Sequence, residues 1–128
     1  MIWILEETVH AIHSRQIAEH GGIDGVRDEG LLLSALARPQ NLLAYSNETP
    51  DISALAASYA YGIAKNHPFL DGNKRTAFVV MRTFLLINGF DIDASQEEKY
   101  ITILKLAEGN LSEVELNEWV KTKLLKVE

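Results

Sequence analysis

An all-α fold, six or so helices around one central buried helix, is what the sequence predicts, and three observations carry it. Apolar residues recur at helical spacing in several segments. Helix start and stop signals fall at the ends of those segments. No stretch sustains the period-two alternation of a sheet. The 128 residues fit one domain, 1–128, with no repeat, low-complexity tract or linker to divide it. Such a length can bury about two thirds of the unfolded chain's surface.

The first helix is read over Glu6 to His20, with Val9, Ile12, His13, Gln16 and Ile17 on one stripe and Gly21-Gly22 as its stop. A glycine-rich connection, GGIDGVRDEG, follows and has room for a small hairpin. LLLSALARP is then a short helix closed near Pro39. From Asp51 to Asn66 an alanine-rich segment aligns Ile52, Leu55, Ala56, Tyr59 and Ile63, with Thr49 and Asp51 around Pro50 as its start signal. Thr76 to Ile87 is apolar almost all round, the pattern of a helix enclosed by its neighbours, and Asn88-Gly89 stops it. Ser95 with Glu98, and Ser112 with Glu115, are capping-box pairs that open two further helices. MIWIL and GFDID are the strand-like pieces.

Charge and composition narrow the function. A net charge of −6 argues against direct nucleic-acid binding, which needs a basic face, so a local pair of cations such as Lys74-Arg75 is informative. The absence of cysteine excludes disulfides and thiolate sites. MIWILEETVH lacks the basic region of a signal peptide, and no apolar run has the length of a membrane span. The expectation is a soluble protein of the cytoplasm.

Between the third and fourth helices lies KNHPFLDGNKRTAF. Pro68 lacks an N–H and turns the preceding residue out of the helical region, so His67 belongs at a helix exit. Phe69, with Leu70 as the second candidate, anchors the turn to the core. Gly72 permits a positive φ, and from Asn73 the chain enters the enclosed helix. A glycine turn feeding a helix N-terminus presents unpaired N–H groups to an anion. Lys74 and Arg75 add charge there, and Asn73 can donate its amide. Asp71 beside bound phosphate is the usual arrangement for holding Mg²⁺, through water or phosphate oxygens. His67 supplies a base that titrates near neutrality. These are the parts of a phosphoryl- or nucleotidyl-transfer site. Neither a Walker A loop nor the protein-kinase motif set is present.

HPFLDGNKR resembles the signature of the Fic/Doc proteins, H-x-F-x-[D/E]-[G/A]-N-[G/K]-R, with every fixed position filled. GGIDGVRDEGLLLSALARPQ is similar to the N-terminal region of the Doc (death-on-curing) branch, the toxins of toxin–antitoxin modules. The resemblance implies the Fic/Doc fold, with His67 as catalytic base, Asp71 as the Mg²⁺-associated acid and Phe69 as structural anchor. It also implies Gly72, Asn73, Lys74 and Arg75 as the nucleotide- and phosphate-binding positions, with ATP as substrate. Most Fic enzymes have glycine where this chain has Lys74, and transfer AMP. The lysine of the Doc branch is associated with a reversed nucleotide and with phosphorylation, typically of a threonine of elongation factor Tu, which halts translation. A Phd-type antitoxin is the implied partner. AMP transfer, or a catalytically silent antitoxin-binding role, are the alternatives.

The remaining chemistry-bearing residues read mostly as structure. His10 and His13, with Glu6 one turn before, could suggest a metal pair, but the sequence offers no third ligand. His20 suits a helix C-terminus. Of Tyr59 and Tyr61 one must face outward, and could line the site. Leu116 and Trp119 fit either the core or a partner groove. The GGIDGVRDEG segment is either an ordinary connection or, as the resemblance implies, a flap that aligns the target's main chain beside the motif.

Overall fold

The computed structural model describes residues 1–127. Its helices are α1 (Glu6–His20), α2 (Glu29–Tyr45), α3 (Ile52–Asn66), α4 (Asn73–Ile87), α5 (Gln96–Ala107) and α6 (Glu113–Lys123). Two short strands, β1 (Phe90–Ile92) and β2 (Leu124–Lys126), pair antiparallel with Asp91 opposite Leu125. The protein is thus all-α in class, with a minimal two-stranded sheet joining the end of α4 to the end of α6. No helix among the described residues is long and apolar enough to cross a membrane.

The core is built on α3 and α4. Leu55, Tyr59 and Ile63 of α3 are fully buried, as are Val80, Met81, Phe84 and Leu85 of α4. α3 is the more enclosed of the two because its small residues let neighbours approach closely. A Cβ placed on Gly62 would sit 3.2 Å from the Ala35 side chain of α2. α4 buries one face and leaves Arg82, Leu86 and Ile87 outside. Leu116 belongs to the core, whereas half-buried Trp119 lines a shallow groove with Ile101 and Leu111.

Local signals explain most boundaries. The Asp28 carboxylate accepts from the Leu31 N–H at 3.0 Å and opens α2, a cap of about 1 kcal/mol. At α6 the capping box is complete in both directions. At α5 the Ser95 hydroxyl accepts from Glu98 N, while the Glu98 carboxylate meets the Ser95 hydroxyl at 3.4 Å through one oxygen and Lys123 at 3.0 Å through the other. Asp51 stands at the α3 N-cap position without a side-chain cap, its carboxylate turned to Lys121 at 3.2 Å.

Three expectations need correction. α2 does not close near Pro39 but runs through it to Tyr45. The ring removes one helical hydrogen bond, and tertiary packing offsets that loss. Pro39 itself is buried, Leu42 and Leu43 beyond it pack on the core, and the Arg38 guanidinium ties the helix to Ser58 O at 3.1 Å and to Glu113 at 2.7 Å. MIWIL forms neither strand nor helix and pairs with no strand among the described residues. Its backbone bonds side chains, Ile2 with Asn88 at both N and O and Ile4 N with the Tyr59 hydroxyl. Burial pushes that hydroxyl's pKa up, so it remains a neutral partner. No hairpin forms in GGIDGV. Val26 forms an antiparallel bridge with Phe69, which joins the segment to the motif loop. Within GFDID, by contrast, Phe90–Ile92 is strand.

Candidate active site

The loop between α3 and α4 is gripped from two sides. On one side the connection from 21 to 28 lies along it: Leu70 N donates to Gly25 O at 3.0 Å, and the N–H groups of Arg27 and Asp28 both donate to Pro68 O. Positive φ at Gly21, Gly22 and Gly25 lets this connection lie flat against the loop. On the other side is α1. Its His13 stacks on Phe69, centroids 3.8 Å apart and rings 7° from parallel, and Nε2 donates to the Asp71 carbonyl at 2.8 Å.

Each motif residue takes a definite place. Phe69 is 1% exposed and is the anchor, while Leu70 points outward at 52%. His67 caps α3 at φ 47°, ψ 56°, left-handed rather than extended. Among the described residues it is the one non-glycine with positive φ, a conformation that costs on the order of 1–3 kcal/mol and persists only when its surroundings impose it. Here the Arg27 guanidinium imposes it, donating to the carbonyls of Asn66 and His67 at 2.7 Å each. Arg27 is a residue that sequence reading passes over, since nothing in VRDEG names a partner 40 positions on.

Asp71 is exposed at the loop's edge, and its carboxylate accepts from Gly72 N at 2.9 Å and from Ile23 N at 3.2 Å. Gly72 stands at the N-cap of α4 with φ 75°, and no side chain caps the helix. A Cβ there would also press to 3.1 Å from Ile17 of α1, so both conformation and space require glycine. Asn73 departs from expectation. Its side chain is buried and spans the loop, accepting from Phe69 N and donating to Phe69 O, both at 3.0 Å. What it leaves for an anion is its backbone N–H. The side-chain amide also reaches His67 Nδ1 at 3.5 Å, the outer limit of a hydrogen bond.

Lys74 and Arg75 are exposed on the first turn of α4. Arg15, Arg38, Arg82, Lys121 and Lys123 have carboxylate partners. Lys74 and Arg75, like Arg27, Lys65, Lys99, Lys105 and Lys126, have none among the described residues, and of these only Lys74 and Arg75 line the cavity beside the motif loop. In a chain of net charge −6, these two cations beside an uncapped helix N-terminus create a local positive field of the kind that favours an anion. They open on a cavity of about 420 Å³ lined by His67 and residues 70–75 on one side, and by Tyr100, Ile103 and Leu104 of α5 on the other. Tyr100, with its exposed ring on this wall, escapes sequence reading because α5 carries no motif. The donor set suits a polyphosphate with a hard divalent cation: a carboxylate oxygen for the metal, and N–H groups, ammonium and guanidinium for the phosphates.

Other candidates lie elsewhere. Tyr59 is in the core, and Tyr61 is flanked by Arg38 and Lys65 over its ring, away from the cavity. Glu29 joins Glu6 and His10 as the third group the sequence did not offer, with His10 Nε2 3.5 and 3.6 Å from the two carboxylates. A hydrogen bond with Glu6 pushes the Glu29 carboxyl up. None of the three lines the cavity, and an imidazole between two surface carboxylates accounts for the cluster without a metal.

Comparison with known proteins follows the same residues. A family model described as Fic/DOC family matches residues 3–85. The chain is 34% identical over 100 residues to the protein named Protein kinase doc of Escherichia phage P1, covering 78% of this chain and 79% of the relative. It is 42% identical over 83 residues to Toxin Doc of Mycolicibacterium smegmatis, covering 60% of this chain and 64%, just under two thirds, of that relative. It is also 43% identical over 60 residues to Protein adenylyltransferase Fic of Drosophila persimilis, a match to 43% of this chain and 12% of the relative.

Proposed function

The chain belongs to the Fic/DOC family, and on that footing we propose that it is a Doc-type toxin kinase. In this reading it transfers the γ-phosphoryl group of ATP to a threonine hydroxyl of a translation factor, elongation factor Tu, in the cytoplasm. Translation stops, and a Phd-type antitoxin neutralises the protein. The observation that carries the reading is Lys74, unpaired at an uncapped helix N-terminus inside the cavity that His67 and Asp71 also line.

His67 accepts the proton of the target hydroxyl as the oxygen attacks phosphorus. Its left-handed backbone keeps the ring at the cavity edge. The backbone N–H groups opening α4, with Lys74 and Arg75, take up phosphate charge as the bond to the leaving diphosphate breaks. Such preorganised donors supply most of the rate in phosphoryl transfer. Asp71 is the residue that would hold Mg²⁺, which supplies charge neutralisation on the nucleotide. The connection from 21 to 28, already bridged to the loop by backbone bonds, offers an extended edge beside the site for the target's main chain.

The relative named Protein adenylyltransferase Fic favours a second reading, AMP transfer to the same kind of hydroxyl. Incubating the protein and elongation factor Tu with ATP labelled at either the γ- or the α-phosphate separates the two. Label from the γ-position alone supports the kinase. Label from the α-position supports AMP transfer, and no label from either would favour a silent antitoxin-binding member.

A further inference from the structure

We propose that His13, on a helix outside the motif, is a positioning residue for the motif acid, a role that rests on Asp71 being the metal-associated group as read above. His13 is 3% exposed, and a polar group so buried needs a partner. A carbonyl oxygen only accepts, so the 2.8 Å contact to Asp71 O requires the imidazole proton on Nε2. The Asp24 carboxylate lies 3.7 Å from Nδ1, beyond hydrogen-bond distance. The ring's specific hold on the loop is therefore the bond to Asp71.

That bond has a particular consequence. The Asp71 carbonyl and the Gly72 N–H are the two ends of one planar peptide unit. His13 fixes the carbonyl end, and the N–H end donates to the Asp71 carboxylate at 2.9 Å. The imidazole thus sets the plane of the peptide, and the peptide sets the direction of the carboxylate. Stacking on Phe69 keeps the ring from tilting. Ile23 N–H holds the other carboxylate oxygen at 3.2 Å, but it belongs to the exposed connection. α1 therefore provides the fixed reference for Asp71, much as a group behind a metal ligand tunes that ligand.

The test is binding of Mn²⁺, as a spectroscopic stand-in for Mg²⁺, to the protein in the presence of ATP, followed by water-proton relaxation. His13→Phe keeps a ring to stack on Phe69 and removes the donor. It should fold and weaken Mn²⁺ binding by about 10-fold or more, whereas His13→Gln, whose amide can donate, should recover most of the loss. Mn²⁺ affinity within two-fold of wild type in a folded His13→Phe protein overturns the role. If His13→Phe does not fold, the ring ¹⁵N spectrum of the wild type decides: a His13 that carries a proton on Nε2 supports the proposal, and one protonated at Nδ1 alone overturns it. A wild-type protein that binds no Mn²⁺ with ATP contradicts the transferase reading itself, and this role falls with it.

Discussion

His67 carries backbone strain and the proposed base together. Its φ of 47° places the ring at the cavity edge, and the Arg27 bonds that impose this conformation go to backbone carbonyls and do not depend on the imidazole. His67→Ala should therefore abolish label transfer while thermal unfolding shifts by no more than about 1 kcal/mol; persistent transfer by that variant contradicts the base assignment. Lys74→Gly removes the bulk and charge beside the first turn of α4. Mass analysis of the modified target should then show a phosphoryl adduct falling and an AMP-sized adduct rising, and an unchanged adduct contradicts the role given to Lys74. These residues are legible in sequence because their chemistry lies within nine consecutive positions. Asn73 is legible only in part. Its residue type suggests a donor to an anion, but the loop path, fixed by Pro68 and Gly72, brings its amide onto the backbone of Phe69. His13 is hidden for another reason: its partner lies 58 positions away, and an imidazole at helical spacing reads as packing.

At the level of elements, the connection from 21 to 28 and the motif loop act as a pair. Gly22 has φ +119°, and a Cβ there would meet the Asp71 carboxylate at 2.8 Å. Gly22→Ala should displace that carboxylate and raise the Mg²⁺ concentration needed for half-maximal transfer by about 10-fold, which a metal titration reads directly. Arg27→Ala removes two donors from the α3 C-terminus and should cost about 1–3 kcal/mol, measured by urea unfolding. The hairpin expected from GGIDGV fails because the buried carbonyl and N–H groups of the motif loop need partners more than the glycines need each other. Pro39 misleads in the same way. As a local signal it stops a helix, yet packing of α2 on α3 around Gly62 continues it. Capping boxes and apolar stripes, which act within one turn, place α5 and α6 correctly. β1 and β2 are three residues each, too short for a period-two signal.

Across the whole molecule, pairs of opposite charge fasten the elements around the core. Arg82 grips Asp91 at 2.9 and 3.2 Å, joining α4 to β1, and holds the Asp91 carboxyl below its ordinary range. Lys123 does the same to Glu98, joining α6 to α5. A carboxyl with a depressed folded pKa contributes stability that is present above its unfolded pKa and is lost as pH falls through the folded one. The thermal midpoint should therefore drop as pH falls through and below the ordinary carboxylate range, and Asp91→Asn should flatten part of that drop. An equal slope in the variant contradicts the assignment. With these cations committed to structure, the positive charge facing the cavity comes from Lys74 and Arg75, and the function proposed for the protein depends on what they deliver. Intact-mass spectrometry of purified elongation factor Tu, incubated with the protein, ATP and Mg²⁺, tests this most directly. The account predicts a single phosphoryl-sized increase, absent with His67→Ala. An unmodified factor, or an AMP-sized increase, contradicts it.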